Sequence, residues 1–454
     1  MDAPFDIAAD LHTPVSAYLR LAGLAPRYLL ESVEGGHQGR FSFIGFGSSR
    51  EVTVEPEGVY LDGVHLDDDL LPGLRKALAQ LPSLNPDTTD QPFAGGLVGA
   101  SAFNLVRRLY DLPAAPHPTP RIEGHYLATE SVLVFDHLTR RIALLHTGTE
   151  TERRALRGEV IAALRGPVEV GNGSGSHSVP VPSMSPGDFV DAVERTKAHI
   201  TAGDVYQLVV SLRLTGHTDL DPFSVYRGLR LLNPSPYMFF LDFGGHQVVG
   251  SSPEALARLQ GRRAELRPIA GTRPRGGDTG EDRRLEAQLL ADPKEAAEHV
   301  MLVDLARNDL GRAATAGSVR VEPYRTIERY SHVMHMVSGV TGELRPEMDA
   351  FDLFAATFPA GTVTGAPKLA AIELIDELEP VSRGFYAGSV GYFGRDGSMD
   401  QAITIRSVFF EGDRFAYQAG AGIVADSDPV REHQEAMDKA AAIGAALELA
   451  KEGL

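Results

Sequence analysis

Two helix beginnings, far apart in the chain, constrain this sequence more than anything else in it. One reads Asp292-Pro293-Lys294-Glu295-Ala296-Ala297-Glu298-His299; the other reads Asp428-Pro429-Val430-Arg431-Glu432-His433-Gln434-Glu435 and runs on to Lys439. Each sets Asp at the N-cap and Pro at the first helical position. Each then carries two glutamates three residues apart, so that both carboxylates project from one face among small or apolar neighbours. Carboxylates turned toward a protein interior are costly unless positive charge meets them. A hard divalent cation with oxygen ligands, Mg2+ above all, would supply it and would usually bring an anionic substrate. The alternative is two solvated helix faces, with Glu435 and Lys439 as an ordinary i,i+4 pair.

The rest of the composition narrows the chemistry. With 454 residues, 43% hydrophobic and 23% charged, the chain has ample material for a large core, in one big domain or two smaller ones. A formal net charge of −18 disfavours nucleic acid and anionic membranes as partners, so an anionic substrate needs a local cationic pocket. No stretch approaches a transmembrane span, and the start, Met1-Asp2-Ala3-Pro4-Phe5-Asp6, lacks the basic region of a signal peptide. A cytoplasmic protein is expected. Cys is absent, which removes disulfides, thiolate zinc sites and cysteine nucleophiles together.

Residues 40 to 165 read as short alternating strands with turns, such as Arg50–Glu55 and Ser131–Phe135, with helices near Leu70 to Gln80 and Glu150 to Leu164. A Gly/Ser run from Gly166 to His177 is the best boundary. We therefore divide the chain into a β-rich N-terminal part (1–165), a linker (166–184) and a C-terminal part (185–454). Ser185-Pro186 opens an amphipathic helix that ends near Gly203, and the strand Val205–Arg213 follows. Hairpin-like pairs such as Ala387 to Phe393 with Asp400 to Phe409 favour an α+β sandwich over a doubly wound parallel sheet.

Further constellations stand around the acidic helices. Phe358-Pro-Ala-Gly-Thr-Val-Thr-Gly-Ala-Pro-Lys368 is a Gly/Thr loop opening a helix at Pro367. Free backbone N–H groups there can bind an anion, or the loop can be a plain helix cap. Arg406, in Ala402-Ile-Thr-Ile-Arg-Ser407, reads as an arginine on an otherwise apolar strand and needs a carboxylate or a substrate. Gln418-Ala-Gly-Ala-Gly-Ile-Val424 lets either a ligand or a neighbouring strand approach closely. His332 and His335 lie three apart, without the rest of a transition-metal set.

Taken together, these blocks resemble the chorismate-utilising enzymes, most closely their anthranilate-synthase aminase (component I) branch. The resemblance rests on YQLVVSLRL (206–214), GSSPE (250–254), RPIAGTRPRG (267–276), LLADPKEAAEHVMLVDLARNDLGR (289–312), YSHVMHMVSGVTGEL (330–344), FPAGTVTGAPK (358–368), MDQAITIRS (399–407) and QAGAGIVADSDP (418–429). It is dense from about 185 to 450, with weaker similarity reaching Leu29-Leu-Glu-Ser32.

This resemblance implies a sandwich of large, mainly antiparallel sheets packed face to face with helices outside. It implies Mg2+ on Glu298 and Glu435, with Glu295 and Glu432 in support through water, holding the ring carboxylate of chorismate. It gives Glu254 the role of general acid on the departing C4 hydroxyl. Arg406 and Tyr386 are implied as holders of the enolpyruvyl carboxylate. Thr362, Gly420, Gly422 and Lys439 complete the pocket, while Thr272 and His335 are placed with the catalytic set, His335 at the pyruvate-elimination stage. The resemblance also implies a feedback site for tryptophan at Ser32, Pro236, Tyr237 and Met238, against a strand edge plus a proline turn as the plain reading.

Two positions separate the branches. Water-adding relatives carry Lys where Gln207 stands; water needs a base, which Gln cannot be, whereas ammonia attacks without one. Relatives making 4-amino-4-deoxychorismate carry a nucleophilic Lys in the block that here reads Pro268-Ile-Ala-Gly-Thr272, and Ala270 has no nucleophile. The expectation is amination of chorismate at C2 followed by pyruvate loss to anthranilate, a lyase step of tryptophan biosynthesis; aminodeoxychorismate synthase component I, of the folate pathway, is the alternative. Glutaminases of this class use a thiolate, so this chain should take free ammonia alone and glutamine only with a separate glutaminase subunit.

Overall fold

Two long strands, Phe41–Glu55 and Gly124–Asp136, pair antiparallel along their length and belong to two sheets at once. Their register slips between Phe46 and Ser49, where Gly47 takes a φ of 81°. A slip of this kind bends a strand and sharpens its twist. On one side of it, Pro26–Glu31 and Arg141–His146 flank the pair; on the other, Gly58–Leu61 and Gly96–Ser101 do. The computed structural model describes every residue except 1–3, 33–38, 87–92, 94, 169–174 and 331–332.

From Pro26–Glu31 the first sheet continues through Tyr237–Asp242, His246–Ser252, Ser407–Glu411, Arg414–Ile423 and Gln207–His217. From Gly96–Ser101 the second continues through Ser389–Gly394, Met399–Ile403, Ala255–Gln260, Arg263–Leu266 and Val340–Glu343. All these pairs are antiparallel. Tyr28, Phe239 and Val248 of the first sheet share one buried cluster with Val98, Val390 and Ala402 of the second. The sheets are therefore packed face to face. Helices Pro186–Ala202, Pro222–Leu232 and Pro429–Glu452 cover the first sheet; Leu70–Gln80, Pro293–Gly311 and Ala350–Thr357 cover the second. This is the expected α+β sandwich. Residues from before and after the Gly/Ser run contribute strands to both sheets. A small antiparallel sheet of Ile269–Pro274, Val333–Val337 and Thr326–Arg329 stands against Pro293–Gly311 and the preceding helix, Thr279–Ala291.

Local signals fix the helix ends. The Asp292 carboxylate accepts from the N–H groups of Lys294 and Glu295, and that of Asp428 accepts from Arg431. Thr149 and Ser185 cap their helices reciprocally with Glu152 and Asp188, and Gly203 closes Pro186–Ala202 at a φ of 89°.

One strand departs from expectation. The segment read as continuous through Arg406 is broken: Met399–Ile403 lies in the second sheet, Ser407–Glu411 in the first. The chain crosses between sheets at Thr404–Arg406, and Arg406 adopts a left-handed φ of 50°. Its neighbour does the same. His246–Ser252 belongs to the first sheet and Ala255–Gln260 to the second, with Pro253-Glu254 as the crossing. Strands that switch between packed sheets need such bends. Among the described residues no helix is long and apolar enough to cross a membrane.

Candidate active site

The two crossings lie side by side and are tied to each other. The Ile403 N–H donates to the Glu254 carbonyl at 3.0 Å, and the Ser251 N–H donates to the Arg406 carbonyl at 3.1 Å. An acid and an arginine are thus held where the backbone of each strand has left its own sheet. Burial pushes the Glu254 carboxyl up to about 7. The Thr362 side chain, Arg406 and Lys439 pull it down without prevailing. Thr362 acts from the 3₁₀ turn Gly361–Val363; its Oγ1 is buried and makes no well-formed hydrogen bond among the described residues, so its pull on Glu254 is that of a nearby hydroxyl. Burial lowers the pKa of the Arg406 guanidinium, and Glu254 opposes that shift. A half-buried carboxyl that keeps its proton near neutrality can donate one, and a cation beside it can receive a carboxylate.

Beside this corner lies a cavity of about 350 Å³ whose walls include Pro236, Thr272, His335, Arg406, Glu435 and Lys439. Five elements distant in sequence meet there. The Nδ1 atom of His335 lies 3.0 Å from the Thr272 hydroxyl, across the pairing of Ile269–Pro274 with Val333–Val337. Lys439 donates to the Gly420 carbonyl at 3.0 Å and pairs with Glu435 at 2.8 Å. Tyr386 lines a second cavity, of about 520 Å³, together with Thr404 and Ser407 on either side of Arg406. Its hydroxyl is pushed up to about 12 by burial.

The acidic helix starts do face each other. Burial, and then the charges of Glu295 and Glu435, raise the Glu298 carboxyl; burial and Glu435 raise that of Glu432. Lys294 and Lys439 act on both in the opposite sense. Glu295 is paired with Arg273 at 3.0 Å, and Arg273 also holds Asp292 at 3.0 Å. The surface pair Glu435–Lys439 read from the sequence exists as well, half exposed on both sides. Among the described residues no three His, Cys, Asp or Glu side chains stand close enough together to hold a metal ion. The donor set nevertheless suits a hard cation: all oxygen, mutually repelling, and partly withdrawn from solvent.

The glycine strand resolves its two readings unequally. A Cβ on Gly420 would stand 2.6 Å from the Val210 carbonyl oxygen, so strand packing alone requires glycine there. A Cβ on Gly422 would meet the Gln207 Nε2 at 2.7 Å, the end of a side chain. Gln207 is buried, and its Oε1 has no partner among the described residues. Ala270 is buried opposite Met336. Of the inhibitor candidates, Met238 is buried and pairs across the first sheet with Glu31, next to Ser32. Tyr237 donates to Asp400 at 3.0 Å, while the Ser32 hydroxyl is buried without a partner among the described residues. His332 lies outside the described residues. Asn233 and Asp438, which also line the cavity, carry no sequence signal beyond a turn and a helix surface.

Residues 25–445 match the family model described as chorismate binding enzyme. The chain belongs to the chorismate-binding enzyme family. Among this family's members, anthranilate synthase component 1 of Thermus thermophilus is 46% identical, covering 98% of this chain and 97% of that protein. The crystal structure of anthranilate synthase component I from Streptococcus pneumoniae is 34% identical, with a TM-score of 0.79 over 98% of this chain and 100% of that one. MenF, the menaquinone-specific isochorismate synthase of Escherichia coli, is similar in fold, with a TM-score of 0.72 over 96% of this chain and 92% of that one, at 21% identity.

Proposed function

We propose that this chain is the aminase component of an anthranilate synthase. It takes chorismate, replaces the C4 hydroxyl by attack of ammonia at C2 with migration of the ring double bonds, and then eliminates pyruvate to leave anthranilate. The observation that carries this reading is Glu254, a carboxyl raised to about 7 beside Arg406 and Thr362. Glu254 gives its proton to the C4 hydroxyl, which leaves as water. Arg406 receives the enolpyruvyl carboxylate, with Tyr386 supporting it from the neighbouring cavity. Lys439, Thr362 and the backbone of Gly420 and Gly422 close the pocket around the ring. The His335–Thr272 pair stands ready to move a proton when the enolpyruvyl group departs. Glu298 and Glu435, with Glu295 and Glu432 behind them, would hold Mg2+, which would neutralise and orient the ring carboxylate.

Amination is favoured over hydration because Gln207 presents an amide and no base. Direct aromatisation is favoured over the folate-pathway product because Ala270 offers no nucleophile. The chain contains no Cys, so we assign glutamine hydrolysis to a separate thiolate glutaminase subunit and place both in the cytoplasm. Tryptophan would act at Ser32, Pro236, Tyr237 and Met238. Pro236 also lines the reaction cavity, which gives inhibitor binding a direct mechanical route to it. The test is product identification from chorismate, Mg2+ and ammonium. Blue-fluorescent anthranilate without added lyase supports the reading; a product that becomes aromatic only when a lyase is added refutes it. Glutamine-dependent turnover by the isolated chain would refute the division of labour, and an initial rate indifferent to saturating tryptophan would refute the inhibitor site.

A further inference from the structure

Beneath the walls of the reaction site lies an ion pair almost wholly removed from water. Glu379 and Arg383 stand 2.6 Å apart with side chains 2% and 1% exposed. Arg383 donates to both carboxylate oxygens, from Nε at 2.9 Å and from Nη2 at 2.6 Å. Its other bonds go to the backbone of two separate elements: Nη1 to the Val363 carbonyl at 2.6 Å and Nη2 to the Val209 carbonyl at 3.0 Å. The guanidinium carbon lies 5.6 Å from the ring centre of Tyr386 and 4.9 Å from that of Phe103. Glu379 in turn accepts from the Ser211 N–H at 2.9 Å and from its hydroxyl at 2.7 Å. Ser211 accepts from the Gln418 side chain at 2.8 Å.

Removing an ion pair from water is expensive, and apolar packing of similar volume would often serve stability as well or better. What apolar packing cannot supply is a fork of directed bonds. Here the fork reaches the residue after Thr362, the strand that begins with Gln207, and the ring of Tyr386. Ser211 extends it to the strand of Gly420 and Gly422. We propose that the Glu379–Arg383 pair is the positioning clamp of the reaction site, fixing Thr362, Tyr386 and Gln207 relative to one another without touching substrate. It rests on the roles assigned above to those three residues.

Arg383→Lys tests it. Lysine keeps the charge and can reach Glu379, but it cannot serve both carbonyls. With full-length chain, Mg2+ and saturating ammonium, the expected result is a fall in kcat of about 100-fold, the scale of a small misplacement of reacting groups. Thermal unfolding should stay within a few degrees of wild type. The pH limb set by Glu254 should move upward, because Thr362 no longer sits beside it. A purely structural role would not move that limb. Wild-type kcat, or a loss that follows the folded fraction with the limb unmoved, overturns the clamp. Should the lysine variant not fold, Ser211→Ala removes one hydroxyl from the pair and leaves its charges alone. A smaller fall in kcat with the same shift of the limb supports the clamp, and an unchanged profile overturns it. A wild-type chain inert toward chorismate would overturn the functional reading and the clamp with it. Active wild type matched by the lysine variant would overturn the clamp alone.

Discussion

The proposed acid side of the site and its proposed metal side are built on different principles. Glu254 and Arg406 sit on two strand crossings whose backbones bond to each other, inside the junction of two sheets. Their electrostatics are set by the fold before any substrate arrives. Glu298, Glu432 and Glu435 project from the first two turns of two outer helices, and Glu435 is exposed and already paired with Lys439. The charge of Glu435 raises the carboxyls of Glu298 and Glu432, and in the proposed reading a cation would gather all three. A proton donor must hold a fixed pKa and so belongs on the rigid sheet junction, whereas a site that loads a soluble ion with its substrate profits from open helix starts.

If that contrast is correct, the largest effect belongs to the acid. Glu254→Gln keeps shape and removes the proton, so turnover should fall by about 10²- to 10⁴-fold while thermal unfolding at neutral pH shows a folded chain. Near-native activity would take Glu254 out of the acid role. With Glu254 as the acid, the competent form of the wild type is the protonated one. At constant free ammonia, kcat/KM for chorismate should therefore decline as pH rises through about 7, the value to which burial raises this carboxyl.

The metal side should respond less in rate and more in ion dependence. Glu435→Ala should raise the Mg2+ concentration for half-maximal turnover by roughly tenfold or more, on the scale of losing one ligating carboxylate, with little change in stability. A Mg2+ titration that superimposes on wild type would return Glu435 to a solvated helix face held by Lys439.

The same contrast has a thermodynamic side. The Glu254 carboxyl titrates at about 7 in the folded chain against 4.5 in its ordinary state. The unfolded chain loses this proton first, so folding stability must fall as pH rises from about 4.5 toward 7 and level off above. The span corresponds to about 3 kcal/mol. Denaturant unfolding at pH 5 and pH 8 should show that slope in the wild type and a flatter one in Glu254→Gln. Equal slopes would mean that Glu254 is not held protonated by the fold.

What could be read from the sequence divides along the same line. The Asp-Pro helix starts and the glutamates behind them were legible because cap chemistry is local and helical spacing puts i and i+3 on one face. The α+β sandwich was legible from its hairpins. Arg406 was expected within a strand; its left-handed crossing was hidden, because nothing in Ile403-Thr-Ile-Arg-Ser407 marks where a strand changes sheets. Glu379 and Arg383 look like an ordinary pair at the end of a helix. Their long-range bonds go to Ser211 and Val209, about 170 residues earlier in the chain, which no local pattern can report.

The smallest expected effect separates packing from chemistry on a single strand. Gly420→Ala would press a methyl group to 2.6 Å from the Val210 carbonyl, which is backbone in a paired strand and cannot yield cheaply. A loss of about 1–3 kcal/mol is expected, read by denaturant unfolding. Gly422→Ala meets only the Gln207 side chain at 2.7 Å. That amide can rotate away, so stability should change little; if Gln207 sits where the nucleophile is chosen, as proposed, the KM for ammonia rises a few-fold. Equal destabilisation by the two substitutions would make both glycines packing residues. An unchanged ammonia KM in the Gly422 variant would remove Gln207 from the choice of nucleophile.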